Sequence, residues 1–238
     1  RKLVTNKIEM LEGIIDLPNV FSDPLIINSI SLEGNLNPKD KEILIDRFST
    51  RMEKDLYEGS LKLNLNEFQA DGFLTHLSRK KVFQNLDLNS DNIKFLITKN
   101  EFNIEGNATL GDVNIFLKGN KNYKNKSKYI SKYKISANIN ENDIEKTFNF
   151  KIPSSGKSPG KSYIKGPIEL NATYLILQNN KEIIKTSNNL KETEINIPAL
   201  DIIKNKGTDA VADIDFSFSK KKLNEIKIVN FKEGSTEI

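Results

Sequence analysis

Ser60-Leu61-Lys62-Leu63-Asn64-Leu65 alternates polar and apolar residues without a break. A period of two puts every second side chain on the same side of an extended strand, so one face is wet and the other dry. Val113-Asn114-Ile115-Phe116-Leu117-Lys118 follows the same rule, with Phe116 the one apolar residue on the wet side. From Lys132 to Ile139, Tyr133, Ile135, Ala137 and Ile139 fall on one side, and Lys134, Ser136 and Asn138 on the other. Glu194-Ile195-Asn196-Ile197 and Asp213-Ile214-Asp215-Phe216-Ser217-Phe218 repeat the theme. Working outward, Leu25–Glu33, Ile43–Phe48, Ile93–Ile97, Phe102–Gly106, Ile164–Leu170, Thr173–Gln178 and Ile226–Phe231 read as further strands.

Turn signals separate these runs: Glu33-Gly34-Asn35, Asn37-Pro38, Gly119-Asn120, Gln178-Asn179-Asn180-Lys181 and Lys206-Gly207. Strands thus recur every roughly 10–15 residues with short punctuation, which predicts antiparallel meanders rather than βαβ units. Helices are expected to be few and short, at Thr5–Leu11, Thr50–Tyr57, Gly72–Gln84 and a single turn at Glu141–Lys146 capped by Asn140. Lys151–Ser162, with Pro153, Gly156, Pro159 and Gly160, reads as a loop. A one-sided sheet of this length must hide its dry face. The expected fold is therefore mainly β: a long antiparallel sheet curled into a groove, or alternatively a β-sandwich. Two segments are expected, 1–100 with the short helices and 101–238 with the clearest one-sided strands.

Composition narrows the function. The 238 residues include 37% hydrophobic and 29% charged side chains, and no Cys. Disulfides, thiolate metal sites and Cys nucleophiles are excluded. No run approaches the ~18 apolar residues of a membrane-spanning helix, and no signal peptide is visible. Because the chain opens on Arg1 rather than Met, it is expected to be a segment of a longer protein. The net charge of +4 comes from 36 basic and 32 acidic residues that are interspersed, which describes a solvated surface. The one basic concentration holds Lys121, Lys124, Lys126, Lys128 and Lys132 with Tyr123, Tyr129 and Tyr133 between them. Such interleaving can track phosphates, and a charged loop between strands explains it equally well.

No catalytic constellation emerges. Ser155-Gly156-Lys157-Ser158-Pro159-Gly160-Lys161-Ser162 approaches the phosphate-binding loop, but the glycine spacing is one short and Gly166-Pro167 follows where a helix is required. His76 is the only histidine, and metal or triad chemistry needs convergent partners. Asp213 and Asp215 share one strand face, where alternating acids more often meet solvent than a glycoside. Neither catalysis, a cofactor, a metal nor nucleic-acid binding is expected.

From about residue 104 onward the order of features resembles the AsmA-like superfamily, in its YhdP-type region. The resemblance rests on Ile104-Glu105-Gly106-Asn107-Ala108-Thr109-Leu110, the strand Val113–Lys118, the basic loop into Tyr133-Lys134-Ile135-Ser136-Ala137, and the turn Asp143–Phe148. It continues in Ile164-Lys165-Gly166-Pro167-Ile168-Glu169-Leu170 and in Ile195-Asn196-Ile197-Pro198-Ala199-Leu200, with Lys204 to Gly207 before a last strand pair. The resemblance implies a non-catalytic part of a bacterial envelope protein, anchored in the inner membrane outside this segment and crossing the periplasm to the outer membrane. In such proteins the apolar concave face of a curled sheet shields phospholipid acyl chains in transit. The residues expected to line it here are Val113, Ile115, Leu117, Ile135, Ala137, Ile139, Ile168, Leu170, Ile195, Ile197, Ile214, Phe216 and Phe218. Periodicity alone leaves a second reading open, in which the same residues pack together in a structural or adhesive β-sandwich without ligand.

Overall fold

The computed structural model describes residues 5–15, 25–37, 39–52, 55–83, 86–123, 128–143, 163–197, 202–219, 222–233 and 236–237. It is almost wholly strand. In chain order the strands are β1 (Thr5–Ile15), β2 (Leu25–Asn37), β3 (Glu42–Met52), β4 (Asp55–Asn64), β5 (Gln69–Phe83), β6 (Leu86–Ile97), β7 (Glu101–Leu110), β8 (Val113–Asn122) and β9 (Tyr129–Ile139). They continue as β10 (Tyr163–Lys165), β11 (Ile168–Leu177), β12 (Glu182–Asn189), β13 (Glu194–Ile197), β14 (Ile202–Lys204), β15 (Ala210–Ser219), β16 (Lys222–Glu233) and β17 (Thr236–Glu237). Fourteen of them form one antiparallel sheet that does not close, in the order β1-β2-β3-β4-β5-β6-β7-β8-β9-β11-β12-β15-β16-β17. Among the described strands the chain runs as a meander, and β10, β13 and β14 leave it to pair as a small second sheet. The expected mainly-β, long antiparallel sheet is the observed one.

Three of the four expected helices are strands. Thr5–Leu11 lies in β1, Thr50–Tyr57 covers the end of β3 and the start of β4, and Gly72–Gln84 lies in β5 as far as Phe83. The cause is visible in β5. Glu58 pairs with His76 but Gly59 pairs with Leu74, so Thr75 is an extra, bulged residue. A bulge stretches the apolar spacing from two to three, and Leu74 and Leu77 then imitate helical i, i+3 neighbours. Only 141–143 is helical among the described residues of the expected helices, with Asn140 Oδ1 accepting from the Asn142 and Asp143 N–H groups. The expected loop 151–162 lies outside the described residues.

Two compact units divide the chain, residues 1–110 with 117–131 and residues 111–116 with 132–238. In the first unit, a line of glycines crosses the strands. Gly34, Ile45, Leu61, Gly72, Phe95 and Ile104 are successive cross-strand partners, as are Gly59, Leu74, Ile93 and Gly106. The glycines on β2, β4 and β7 face bulges on β3, β5 and β6. A Cβ on Gly59 would land on the Phe73 carbonyl oxygen, and one on Gly72 on that of Ser60, with Leu61 Cα at 2.8 Å. A Cβ on Gly106 would meet the Asn92 carbonyl oxygen and Ile93 Cα at 3.0 Å. The neighbouring backbone therefore stands where a side chain would be, and the sheet of this unit folds toward its apolar face along this line.

The second unit has a covered core. Ile168, Leu190, Ile195 and Ala210 are buried together, with Ile139, Ile164, Ala212 and Phe231 against them. The small sheet supplies Ile164 and Ile195, and so lies on one end of the dry face of β9, β11, β15 and β16. Two polar groups lock it there. Thr193, fully buried, donates from Oγ1 to the Pro167 carbonyl at 2.6 Å. Lys204, also fully buried, donates from Nζ to the carbonyls of Thr193 (2.7 Å), Asn205 (3.0 Å) and Lys191 (3.3 Å).

Candidate functional site

The registers sort the side chains of each unit onto two faces. In the second unit, Leu170–Asn188–Ala212–Phe231, Ala172–Thr186–Ile214 and Tyr174–Ile184–Phe216 are cross-strand rows on one face. Asn171–Ser187–Asp213–Asn230 and Thr173–Lys185–Asp215–Lys227 are rows on the other. Tyr133 stacks on Tyr174 at 6.1 Å, and Ser136 donates to Asn171 Oδ1 at 2.9 Å on the opposite side. Those contacts place Ile135, Ala137 and Ile139 with the apolar rows.

The expected lining residues thus separate into three groups. Leu170, Ile214 and Phe216 share the dry face with Ile135, Ala137 and Ile139, and all six are half-buried. Ile168, Ile195 and Phe218 are buried, the first two inside the core under the small sheet. Val113, Ile115 and Leu117 are buried on one side of β8 at 8%, 6% and 4% exposure, alternating with exposed Asn114, Phe116 and Lys118. The Ile197 side chain lies outside the described residues.

In the first unit, the dry face is longer than the sequence reading gave it. Ile30, Leu32, Ile43, Ile45, Phe48, Leu61, Leu63 and Leu74 stand on it half-buried, and Ile93 and Phe95 are buried at the fold line. Toward β1 it opens to solvent, where Ile8, Ile14 and Ile26 are 58%, 72% and 51% exposed. The signal that could have found it was the unbroken alternation in β2 and β4, carried into β3, β5 and β6 once each bulge there shifts the phase by one.

Polar groups gather at the two strand ends of this same face. Asp55 Oδ2 accepts from Arg79 Nε at 3.2 Å and from the Tyr57 hydroxyl at 3.3 Å, while Asp55 Oδ1 accepts from the Lys80 N–H at 2.9 Å. Lys121 lies at the other strand end. Tyr123 N–H donates to the Asn100 carbonyl, which sets Lys121 level with Phe102, then Ile97 and Ala70 on β5. Burial, with the positive charge of Arg79 adding to it, holds the Lys121 ammonium below the usual lysine range.

Burial also pushes the Tyr57 phenol up to about 12, with Asp55 adding to the rise and Arg79 opposing it. Its pKa is raised in the folded chain, so between about pH 10 and 12 the native state holds a proton that the unfolded state has lost. Stability from this group is complete below the unfolded value near 10 and falls as pH rises through that window. Tyr57→Phe is expected to flatten the alkaline loss of stability in urea titrations. An unchanged slope would refute this origin.

The polar face of the second unit forms a shallow trough of about 470 Å³, lined by Lys134, Ser136, Asn171, Thr173, Lys185, Ser187, Asp213 and Asp215 among others. Asp215 pairs with Lys185 at 3.2 Å, and Asn230 Nδ2 donates to Asp213 Oδ2 at 3.4 Å. Those acids are held by neighbours on a wet surface. His76 stands on the wet side with Nδ1 3.4 Å from Asp91 Oδ1. Among the described residues no cluster of metal-ligating side chains occurs, and no helix is long and apolar enough to cross a membrane. Comparison with protein-family models, with curated proteins and with solved structures returns no match.

Proposed function

We propose that this chain is a non-catalytic, lipid-shielding segment of a bacterial envelope protein of the AsmA-like, YhdP-type class. The observation that carries the reading is the dry face of the first unit, which is apolar across consecutive strands, folded along one line, and half-buried or exposed away from the buried Leu77, Ile93 and Phe95. A structural sandwich would bury those side chains under a second layer. Here the described second layer is the small sheet, and it covers one end of the second unit.

The energetics suit a conduit. Each buried CH₂ is worth about 0.8 kcal/mol, so a chain of ~16 carbons would gain on the order of ten kcal/mol from a dry trough. That gain, spread along many aliphatic side chains, gives no single deep well and asks for no reacting group. Headgroups would stay in water at the strand ends. On this reading the protein sits in the periplasm, anchored to the inner membrane by a segment outside this chain, and phospholipid passes between inner and outer membranes.

The test is mass spectrometry of organic extracts from the gently purified chain, beside a Leu32→Asp, Phe216→Asp double variant. Both positions are half-buried on dry faces. Phospholipid is expected in the parent and absent from the variant, with the same far-UV circular dichroism in both. A folded parent free of lipid would overturn the reading and favour a structural β module.

A further inference from the structure

We infer that Glu182 and the stacked rings of Tyr133 and Tyr174 form a subsite on the dry face of the second unit that takes the ammonium head of an amphiphile. This rests on the lipid-shielding reading and adds the chemistry of the head.

Glu182 is a carboxylate among apolar neighbours. Its cross-strand partners are Ile176 on β11 and the buried Phe218 on β15. The next row on the same face is Tyr174–Ile184–Phe216. A half-buried carboxylate in such surroundings costs free energy unless it is paired. Glu182 Oε2 accepts from the Tyr174 hydroxyl at 2.7 Å. Among the described residues no cation pairs with it, and Lys185 on the same strand turns to the wet face, where it meets Asp215 at 3.2 Å.

The rings add to the same electrostatic sign. Tyr133 and Tyr174 lie with centroids 6.1 Å apart and planes at 24°, and the faces of aromatic rings carry partial negative charge. Burial first, and the bond to Glu182 second, push the Tyr174 phenol above the usual tyrosine range, so its hydroxyl stays a donor to the carboxylate. One full negative charge and two π faces thus meet at one end of an apolar surface. An ammonium group can donate to Glu182 Oε1 and rest against a ring, whereas an anionic head would be repelled.

The face also accommodates the tail. From Glu182 to Asn188 it runs about 20 Å along β12, and the small sheet covers its far end over Ile168 and Leu190. The polar side chains on the way are turned to backbone: Thr186 Oγ1 donates to the Ile214 carbonyl at 3.1 Å, and Asn188 Nδ2 to that of Ala212 at 2.9 Å. A tail would therefore lie over Phe216, Ile214 and Leu170 with its head at Glu182.

The test is equilibrium binding of decylammonium, decanol and ethylammonium to the full chain and to Glu182→Gln. Decylammonium is expected to bind the parent about tenfold more tightly than decanol, and Glu182→Gln is expected to level the two. Equal binding of the two amphiphiles by the parent would overturn the subsite and leave the shielding reading standing. Binding of neither would overturn both. Ethylammonium binding as tightly as decylammonium would show a site for small amines and overturn the amphiphile. A folded Glu182→Gln that keeps the preference would overturn the assignment to this carboxylate. Tyr174→Phe guards against a misfolded first variant: it retains the carboxylate without its clamp, so the preference is expected to shrink, and an undiminished preference counts against the subsite.

Discussion

Gly59→Ala is expected to destabilise the folded chain by about 3 kcal/mol or more, read as a large fall in the urea midpoint. The methyl group would occupy the place of the Phe73 carbonyl oxygen, with Leu74 Cα at 3.0 Å. Backbone, unlike the tip of a flexible side chain, cannot step aside without breaking its ladder. β4 and β5 would have to part at the bulge, and the fold of the sheet there would open. Gly207 supplies the contrast. It has a φ of +88° with nothing within 4 Å of an added Cβ, so Ala there meets only local backbone strain of about 1–2 kcal/mol. A Gly59→Ala midpoint equal to that of the parent would show that the strands need not approach so closely, and the folded trough would lose its support.

The second large effect belongs to Lys204→Met. Three carbonyl oxygens receive the Lys204 ammonium in a site with no solvent exposure. Met retains the aliphatic stem but leaves those acceptors without their donor. Buried acceptors left in this way cost about 1–3 kcal/mol each, and some would find relief by local rearrangement. A net loss of about 3 kcal/mol is the expected outcome, with Lys191–Lys206 becoming the first segment to exchange amide hydrogens. The small sheet would lift from Ile168, Leu190 and Ala210, while residues 25–110 kept their protection. Uniform exchange across both units would contradict a local lock.

Much of the fold is legible in the sequence because period-two alternation is a direct image of a strand with one dry side. Leu61, Leu63 and Ile115 announce their face without ambiguity. The expected helices fail for a single physical reason in β5, where Thr75 inserts one residue into the alternation. Leu74 and Leu77 then carry helical spacing on an extended backbone. Thr5–Leu11 misleads differently. Ile8 and Leu11 are three apart, but they point to opposite faces of β1 and Leu11 is 83% exposed. The candidate site is legible only in half. Leu170, Ile214 and Phe216 share a face as their spacing predicts, whereas Ile195 leaves the main sheet to cover it. Nothing local in Glu194-Ile195-Asn196-Ile197 tells a covering strand from a lining one.

The bulges also decide where this chain could lose a residue. Removing one residue from an uninterrupted strand, such as Lys62 from β4, turns every side chain beyond it to the wrong face. Removing Thr75 does not, because Gly72 and Leu74 before it and Leu77 after it would fall into unbroken alternation. Polarity would survive the deletion while the bend weakened. Thr75, and by the same geometry Asp46, are thus points where length can drift between related sequences without turning the sheet inside out. Variation in trough curvature, rather than in which side is dry, is the change most open to such a lineage.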